Sequence, residues 1–344
     1  MSRIRFRLPA EWEPQAGVII AWPHESTDWS PRLAEIDEAY VGLASAIARF
    51  EPLVVCVADL SVREQTARKL ADAGVAEDRV RFVEAEYDDT WLRDSGPITL
   101  TDGVDFRLLD FRFTGWGGKF EASRDDRLIE TLIERGLFRV AAHQRIDWAL
   151  EGGAIESDGK GTILTTWRCL HQRHPHMSRE DMTRLLADSF GAERVLWLDY
   201  GYLEGDDTDA HIDTLARFAP DDAIIFQACE DASDRHYAEL GRMREELASL
   251  RTSEGRPYRL HALPWPRAIV DEGRRLAASY ANYLVVDGGV VIPSYGDPND
   301  AKAAAVIGAA HPGREIVAVD ARPLIWQNGS VHCLTMQLPA GALA

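Results

Sequence analysis

Short apolar runs rich in β-branched residues alternate along this chain with longer stretches of helical periodicity. That alternation restricts the fold more than any other feature. The runs are Gly17–Trp22, Leu53–Val57, Gly161–Thr165, Ala223–Phe226, Tyr283–Asp287 and Val290–Pro293, each of strand length. The helical stretches are Ser30–Arg49, Ser61–Ala73, Asp125–Arg135, Ser178–Ser189, Asp234–Leu250 and Asn299–Ala310. Two of them open with capping signals. Ser178 precedes Arg179-Glu180-Asp181, and Asn299 precedes Asp300. Strands alternating with helices predict an α/β protein. No Pro/Gly/Ser-rich linker divides the chain, so residues 1–344 read as a single domain. Six helices at a spacing of roughly 50–70 residues suggest repeats of one strand-rich unit, although no repeat is visible as sequence identity.

Charge narrows the partners. Against 38 Lys and Arg stand 56 Asp and Glu, a formal net charge of −18. Such a surface repels phosphate backbones and attracts small cations, so nucleic acid is not an expected partner. No stretch approaches the roughly 18 uninterrupted apolar residues of a membrane span, so no membrane partner is expected. The N-terminus lacks the apolar core of a signal peptide. The four cysteines, Cys56, Cys169, Cys229 and Cys333, form no Cys-x-x-Cys pair, and a reducing cytoplasm is the expected location. A homodimer stays open beside a monomer.

The chemistry-bearing residues gather in loops just after strands. Cys333 follows Gly329-Ser330-Val331-His332 and precedes an apolar-alternating run, which places it at the start of a strand. A buried cysteine acting as a small hydrophobe is the alternative to a nucleophile. Its neighbour His332 should face the other way, as successive residues in a strand do. His211 and Asp213, two apart in an extended segment, should address one pocket. The acids at Asp206, Asp207 and Asp209 also resemble a hard-metal loop, but the Gly and Glu of an EF-hand are missing. Asp94 lies in Trp91-Leu92-Arg93-Asp94-Ser95-Gly96-Pro97, and Glu151 precedes two glycines that let backbone approach a ligand. His171, His174 and His176, near Cys169, are the rival transition-metal reading. Walker A, Gly-x-Gly-x-x-Gly, Gly-x-Ser-x-Gly and His-Glu-x-x-His motifs are all absent.

Together these segments resemble the agmatine deiminase / bacterial-type peptidylarginine deiminase family of the guanidine-modifying pentein superfamily. The matching pieces are Trp91-x-Arg93-Asp94-Ser-Gly-Pro, Glu151-Gly-Gly, Asp207-Thr-Asp-x-His211-Ile-Asp213 and Asn328-Gly-Ser-Val-His-Cys333. Phe113–Gly118, Ser279–Tyr283 and Gly296–Asp300 match as well. The resemblance implies a five-bladed α/β propeller of ββαβ repeats about a pseudo-fivefold axis. It implies Cys333 as nucleophile, His211 as acid and base, Glu151 as the anchor of His211, and Asp94 and Asp213 as the carboxylates that hold a guanidinium. Trp91 and Asp207 would bind the far end of the substrate. Agmatine is the substrate it implies, with peptidylarginine or another small guanidine as the alternative; metal and organic cofactors are not required. Two departures bear on selectivity: Asp207 and Ala210 stand where many agmatine deiminases carry Glu and Gly. A non-catalytic guanidine-binding protein is the competing reading from another class.

Overall fold

The computed structural model describes residues 6–139 and 142–344. The protein is a mixed α/β structure, and five of its sheets repeat one pattern. In each, a first strand runs antiparallel to a second, and the second runs parallel to a third that follows a helical crossover. The first four are Ile98–Thr101 with Phe106–Arg112 and Ala142–Ala149; Ile155–Ser157 with Thr162–Thr166 and Arg194–Leu198; Ala216–Ala219 with Ala223–Gln227 and Arg259–Leu263; and Leu284–Val286 with Gly289–Ser294 and Glu315–Asp320. The fifth takes its first strand from the far end of the chain. Met336–Pro339 pairs antiparallel with Gln15–Ala21, which pairs parallel with Leu53–Val57, and Val80–Glu84 is added at the edge. The five first strands begin at residues 98, 155, 216, 284 and 336, so the spacing suspected from the helices is a structural repeat. Among the described residues the sheets are separate hydrogen-bonded units, joined by side-chain packing and not by a continuous ladder.

The predicted helices form with small changes. Two open on a 3-10 turn, at Ser30–Arg32 and Asp125–Arg127, before Leu33–Ala48 and Leu128–Glu134. The Ser178 side chain caps its helix by accepting from the Asp181 N–H, whereas Asn299 makes no side-chain cap. Instead Asn299 donates its Nδ2 to the Trp265 carbonyl at 2.9 Å. A short helix not expected from periodicity, Trp167–Arg173, carries Cys169 and Arg173. The helices bury their apolar faces on the sheets. Ile36, Tyr40, Leu43 and Ile47 pack with Val55 and Val291, for example, in one continuous core. No helix is long and apolar enough to cross a membrane among the described residues.

This repeat positions the site. In each unit the segment just before the first strand turns inward and carries a polar side chain. Asp94 lies on the single turn Leu92–Ser95 before Ile98, and Glu151 precedes the Gly152–Ala154 turn before Ile155. His211 opens and Asp213 lies within the Ile212–Thr214 turn before Ala216, Asn282 precedes Leu284, and Cys333 precedes Met336. One repeat position therefore supplies Asp94, Glu151, His211, Asp213, Asn282 and Cys333.

Candidate active site

Cys333 is buried, in a turn three residues ahead of its strand rather than on the strand itself. Asn282 holds that turn. Its Oδ1 accepts from the backbone N–H of His332 at 3.1 Å and of Cys333 at 3.3 Å, and its Nδ2 donates to the Cys333 Sγ at 3.0 Å. The Asp213 Oδ2 lies 3.5 Å from the sulfur. Burial, followed by the Asp213 and Asp94 charges, pushes the thiol well above its ordinary range. A cation placed between those two carboxylates would reverse the second effect and favour thiolate.

His211 and Asp213 do not lie on an extended segment. Ile212–Thr214 is a single 3-10 turn, which the backbone needs in order to enter the Ala216 strand from a loop. Both side chains still reach one place, and Gly153 marks it. A Cβ built on Gly153 would sit 2.7 Å from Asp94 Oδ1, 2.7 Å from His211 Nδ1 and 3.1 Å from Asp213 Oδ2. The three groups converge only because the glycine has no side chain. His211 turns Nδ1 toward Asp94 Oδ1 at 3.6 Å and Nε2 toward Glu151 Oε2 at 3.6 Å. Neither imidazole nitrogen has a hydrogen-bond partner, nor has Asp213 Oδ1 or Glu151 Oε2, although all four atoms are buried. Unpaired buried polar atoms are costly, and several aimed into one spot are the mark of a binding site.

Each carboxylate is fixed from behind. Asp94 accepts from the Gly153 N–H at 3.0 Å and from the Trp116 Nε1 at 2.9 Å. Trp116 sits at φ 56°, a backbone conformation costing about 1–3 kcal/mol for a bulky residue. The turn in Phe113–Gly118 holds it there and delivers its indole N–H to Asp94. Burial raises the Asp94 carboxyl to about 6. Glu151 is also opposed by burial, but His211 and the Arg173 guanidinium, whose Nε donates to Oε1 at 2.8 Å, bring it down to about 2. Burial pulls the imidazole of His211 down. The Asp94 charge, Cys169 and Glu151 outweigh it and hold that group well above its ordinary range.

His332 was expected to face away from the chemistry. It does leave the sulfur, but its Nδ1 comes back to Asp213 Oδ2 at 2.8 Å, because the turn does not alternate faces as a strand would. Its Nε2 meets Glu11 Oε1 at 2.7 Å and Arg217 Nη2 at 2.9 Å. Asp213 thus rests on a buried lattice of charges that also contains Arg93 and Glu156.

A cavity of about 360 Å³ runs from Cys333 and Asp94 outward past Trp91, Trp116, Asp207 and Asn328. Trp91 forms one wall. A Cβ on Gly329 would overlap its ring at 2.1 Å, so the glycine lets the Cys333 loop lie close on the indole. Asp207 is half-buried at the outer end, where its Oδ2 accepts from Asn328 Nδ2 at 3.1 Å. The segment around Asp207 contains no basic residue, but the fold brings two: Lys119 donates to the Asp207 backbone carbonyl, and Arg274, exposed on the hairpin of residues 270–275, lines the same mouth and donates to Asn328 Oδ1 at 2.6 Å.

The rival metal readings do not assemble. His174 bonds the Ala149 carbonyl at 2.8 Å and stacks on Trp148, and His171 stacks on Trp167. Asp206 caps its own loop through Thr208 and Ala210, and Asp209 pairs with Arg173 and Lys119. Sequence reasoning gave no role to Asn282, Trp116, Arg173 or Arg274. A signal existed for the first two: a lone amide inside Ser279–Tyr283 and a tryptophan among glycines.

The model of the Porphyromonas-type peptidyl-arginine deiminase family matches residues 7–339. The agmatine deiminase of Pseudomonas aeruginosa is 34% identical over 97% of this chain and 96% of its own length. Among solved structures, the agmatine deiminase of C. jejuni with substrate bound is 33% identical, with a TM-score of 0.90 over 98% of this chain and 97% of that one. A Porphyromonas gingivalis protein provisionally called an arginine deiminase is 41% identical, with a TM-score of 0.91 over 99% of this chain and 100% of that one.

Proposed function

Since the chain belongs to the Porphyromonas-type peptidyl-arginine deiminase family, we propose that it is an agmatine deiminase. It would hydrolyse a guanidine C–N bond to give N-carbamoylputrescine and ammonia. The observation that carries the reading is the convergence of Asp94, His211 and Asp213 about Gly153, with the Cys333 sulfur beside Asp213. The recurrence of one inward segment per sheet supports a five-bladed propeller in which those segments share the central channel. The pairing of Met336–Pro339 with Gln15–Ala21 supports reading the whole chain as one deiminase domain. All four cysteines are unpaired, which supports a reducing cytoplasm.

In this reading Asp94 and Asp213 grip the N–H groups of the guanidinium and fix its plane. The bound cation lowers the thiol of Cys333, and the thiolate attacks the guanidinium carbon. A C–S bond forms and a C–N bond breaks. His211 supplies the proton to the departing ammonia through Nδ1, and an amidino group remains on sulfur. The same imidazole, now neutral, takes a proton from water as it attacks the carbon. The C–S bond breaks, the ureido product leaves and the thiolate returns. Glu151, held by Arg173, keeps Nε2 oriented and the imidazole basic. Trp91 and Asp207 receive the aliphatic chain and the distal ammonium.

Arg274 favours a second reading. A guanidinium at the mouth suits a substrate whose far end carries a carboxylate, as an arginine at a peptide C-terminus does. Scoring ureido product from agmatine, free arginine, peptidylarginine and methylated arginines decides between them. Agmatine is expected to give the highest kcat/KM, and a clear preference for a carboxylate-bearing substrate would overturn the assignment.

A further inference from the structure

Beside the His211 imidazole lies a second cysteine that the mechanism does not use. Cys169 is on the short helix Trp167–Arg173 and is fully buried. Its sulfur, a His211 nitrogen and a Glu151 carboxylate oxygen lie within 4.8 Å of one another. Two of these partners are unsatisfied. Glu151 Oε2 and the two His211 nitrogens are buried without a hydrogen bond, and Nε2 already faces Oε2 at 3.6 Å. Zinc bonds of about 2.3 Å to sulfur and 2.0 Å to nitrogen or oxygen imply donor separations of about 3.3–3.5 Å in a tetrahedral site. The Nε2–Oε2 edge is near that length at 3.6 Å, and the edges to sulfur, each within 4.8 Å, need to contract by at most about 1.3 Å.

From this geometry we propose that Cys169, His211 and Glu151 form an inhibitory site for a thiophilic divalent cation such as Zn²⁺. A thiolate, an imidazole and a carboxylate together suit zinc, and they do not suit Mg²⁺ or Ca²⁺, which take oxygen ligands. Binding exchanges two protons for the metal: the Cys169 thiol and the Nε2 of the His211 imidazolium each lose one to solvent as the Zn–S and Zn–N bonds form. Arg173 is the opposing charge, yet it occupies Glu151 Oε1 and leaves Oε2 free. Asp94 adds a negative charge on the far side of the ring. Metal on Nε2 draws electron density from the imidazole and takes Glu151 from it, so Nδ1 becomes a poor base. Metal binding stands on the geometry alone; the inhibitory consequence rests on the role proposed for His211.

The test uses the full chain stripped of metal, incubated with ZnCl₂, desalted and assayed for bound zinc. Parallel Co²⁺ loading reports a thiolate ligand by its charge-transfer absorption. Wild type and Cys333→Ser should each retain about one zinc per chain and show the Co²⁺ band. Cys169→Ser should lose the band and bind zinc at least tenfold more weakly. Glu151→Gln in the Cys333→Ser background keeps both buried cavities filled and should also weaken retention, which covers the case of a Cys169 variant that does not fold. Because the donors are buried, zinc inhibition of the wild type should develop over minutes and reverse with EDTA. Retention lost in Cys333→Ser but kept in Cys169→Ser would move the metal to the nucleophile and overturn the proposal. So would a wild type that retains no zinc at micromolar concentration. Zinc retained at Cys169 without loss of turnover would leave the site standing and overturn the role of His211.

Discussion

The two ends of the cavity are built on different terms. At the inner end the three carboxylates and the sulfur are buried and secured from behind, while the His211 nitrogens are buried without a partner. Asp94 is held by Gly153 and Trp116, Asp213 by His332, Glu151 by Arg173, and Cys333 by Asn282. At the mouth, Asp207 is half-buried, its carboxylate accepts from Asn328, and an exposed arginine shares that amide. In the proposed reading the inner carboxylates grip one kind of group, a planar cation. At the outer end an anion, Asp207, and a cation, Arg274, share one asparagine. On that reading the reaction type rests on many buried contacts, and the choice among guanidines on a few solvent-screened ones.

Substitutions should reveal that asymmetry in their magnitudes. Cys333→Ser is expected to remove turnover by about 10⁴-fold or more, as loss of a covalent nucleophile does. Ammonia release measures it, and a variant with near wild-type rate would take Cys333 out of the mechanism. Acid-quenched mass spectrometry of the wild type should find the adduct on Cys333 and not on Cys56, Cys169 or Cys229. Asp94→Asn and Asp213→Asn should each cost about 2–5 kcal/mol, the range for truncating a desolvated charge pair. At 1.36 kcal/mol per decade, that is about 30- to 5,000-fold in kcat/KM. If either variant matches wild type, the guanidinium binds elsewhere.

Acidity probes the inner end without mutation. The Asp94 carboxyl, raised to about 6 by its burial, must be ionised to hold the cation. Activity therefore rises with pH through that value, and below it kcat/KM should fall by about tenfold per pH unit. His211 must carry a proton to act as an acid. Its upward shift places the alkaline limb well above neutrality. A profile flat between pH 5 and 7 would contradict the Asp94 assignment.

Changes at the mouth should be smaller and should act mainly on KM. Asp207→Asn is expected to raise KM for agmatine by about two- to tenfold, since an exposed or half-exposed ion pair contributes about 1 kcal/mol. Discrimination against a neutral guanidine of the same length should narrow with it. Arg274→Gln should have the smallest effect, within about fivefold, and of opposite sign for the two substrate classes. KM should fall for agmatine and rise for a guanidine ending in a carboxylate. Equal effects on both would mean that Arg274 serves only to anchor Asn328.

The same contrast governs what could be read from the amino acids. The inner residues announced themselves because loops that combine Gly with Asp, Glu or His just after apolar runs have few structural uses. Asp94, Glu151, His211, Asp213 and Cys333 were all picked out that way, and the resemblance gave them roles. The backbone beneath them was less legible. The His211–Asp213 pair looked extended, because sequence spacing cannot tell a turn from a strand over three residues. Ala142–Ala149 escaped notice because most of its side chains are exposed and polar, leaving no apolar run to see. Arg274 was out of reach for a different reason: nothing near it in the chain marks it, and it matters only for what the fold brings beside it. Cys169 stood out only beside His171, His174 and His176, and the fold sets it against Glu151 and His211 instead.

The pairing of the last strand with the first has a consequence for how such a chain comes into being. During synthesis four of the five inward segments emerge and can form their sheets while the fifth is still in the ribosome. The sheet that seats the sulfur needs Met336–Pro339 against Gln15–Ala21, a contact spanning almost the whole chain and slow to find. A nascent or C-terminally trimmed chain would carry Asp94, His211 and Asp213 but neither Cys333 nor the His332 that holds Asp213, so the site is completed only when the two ends of the chain meet.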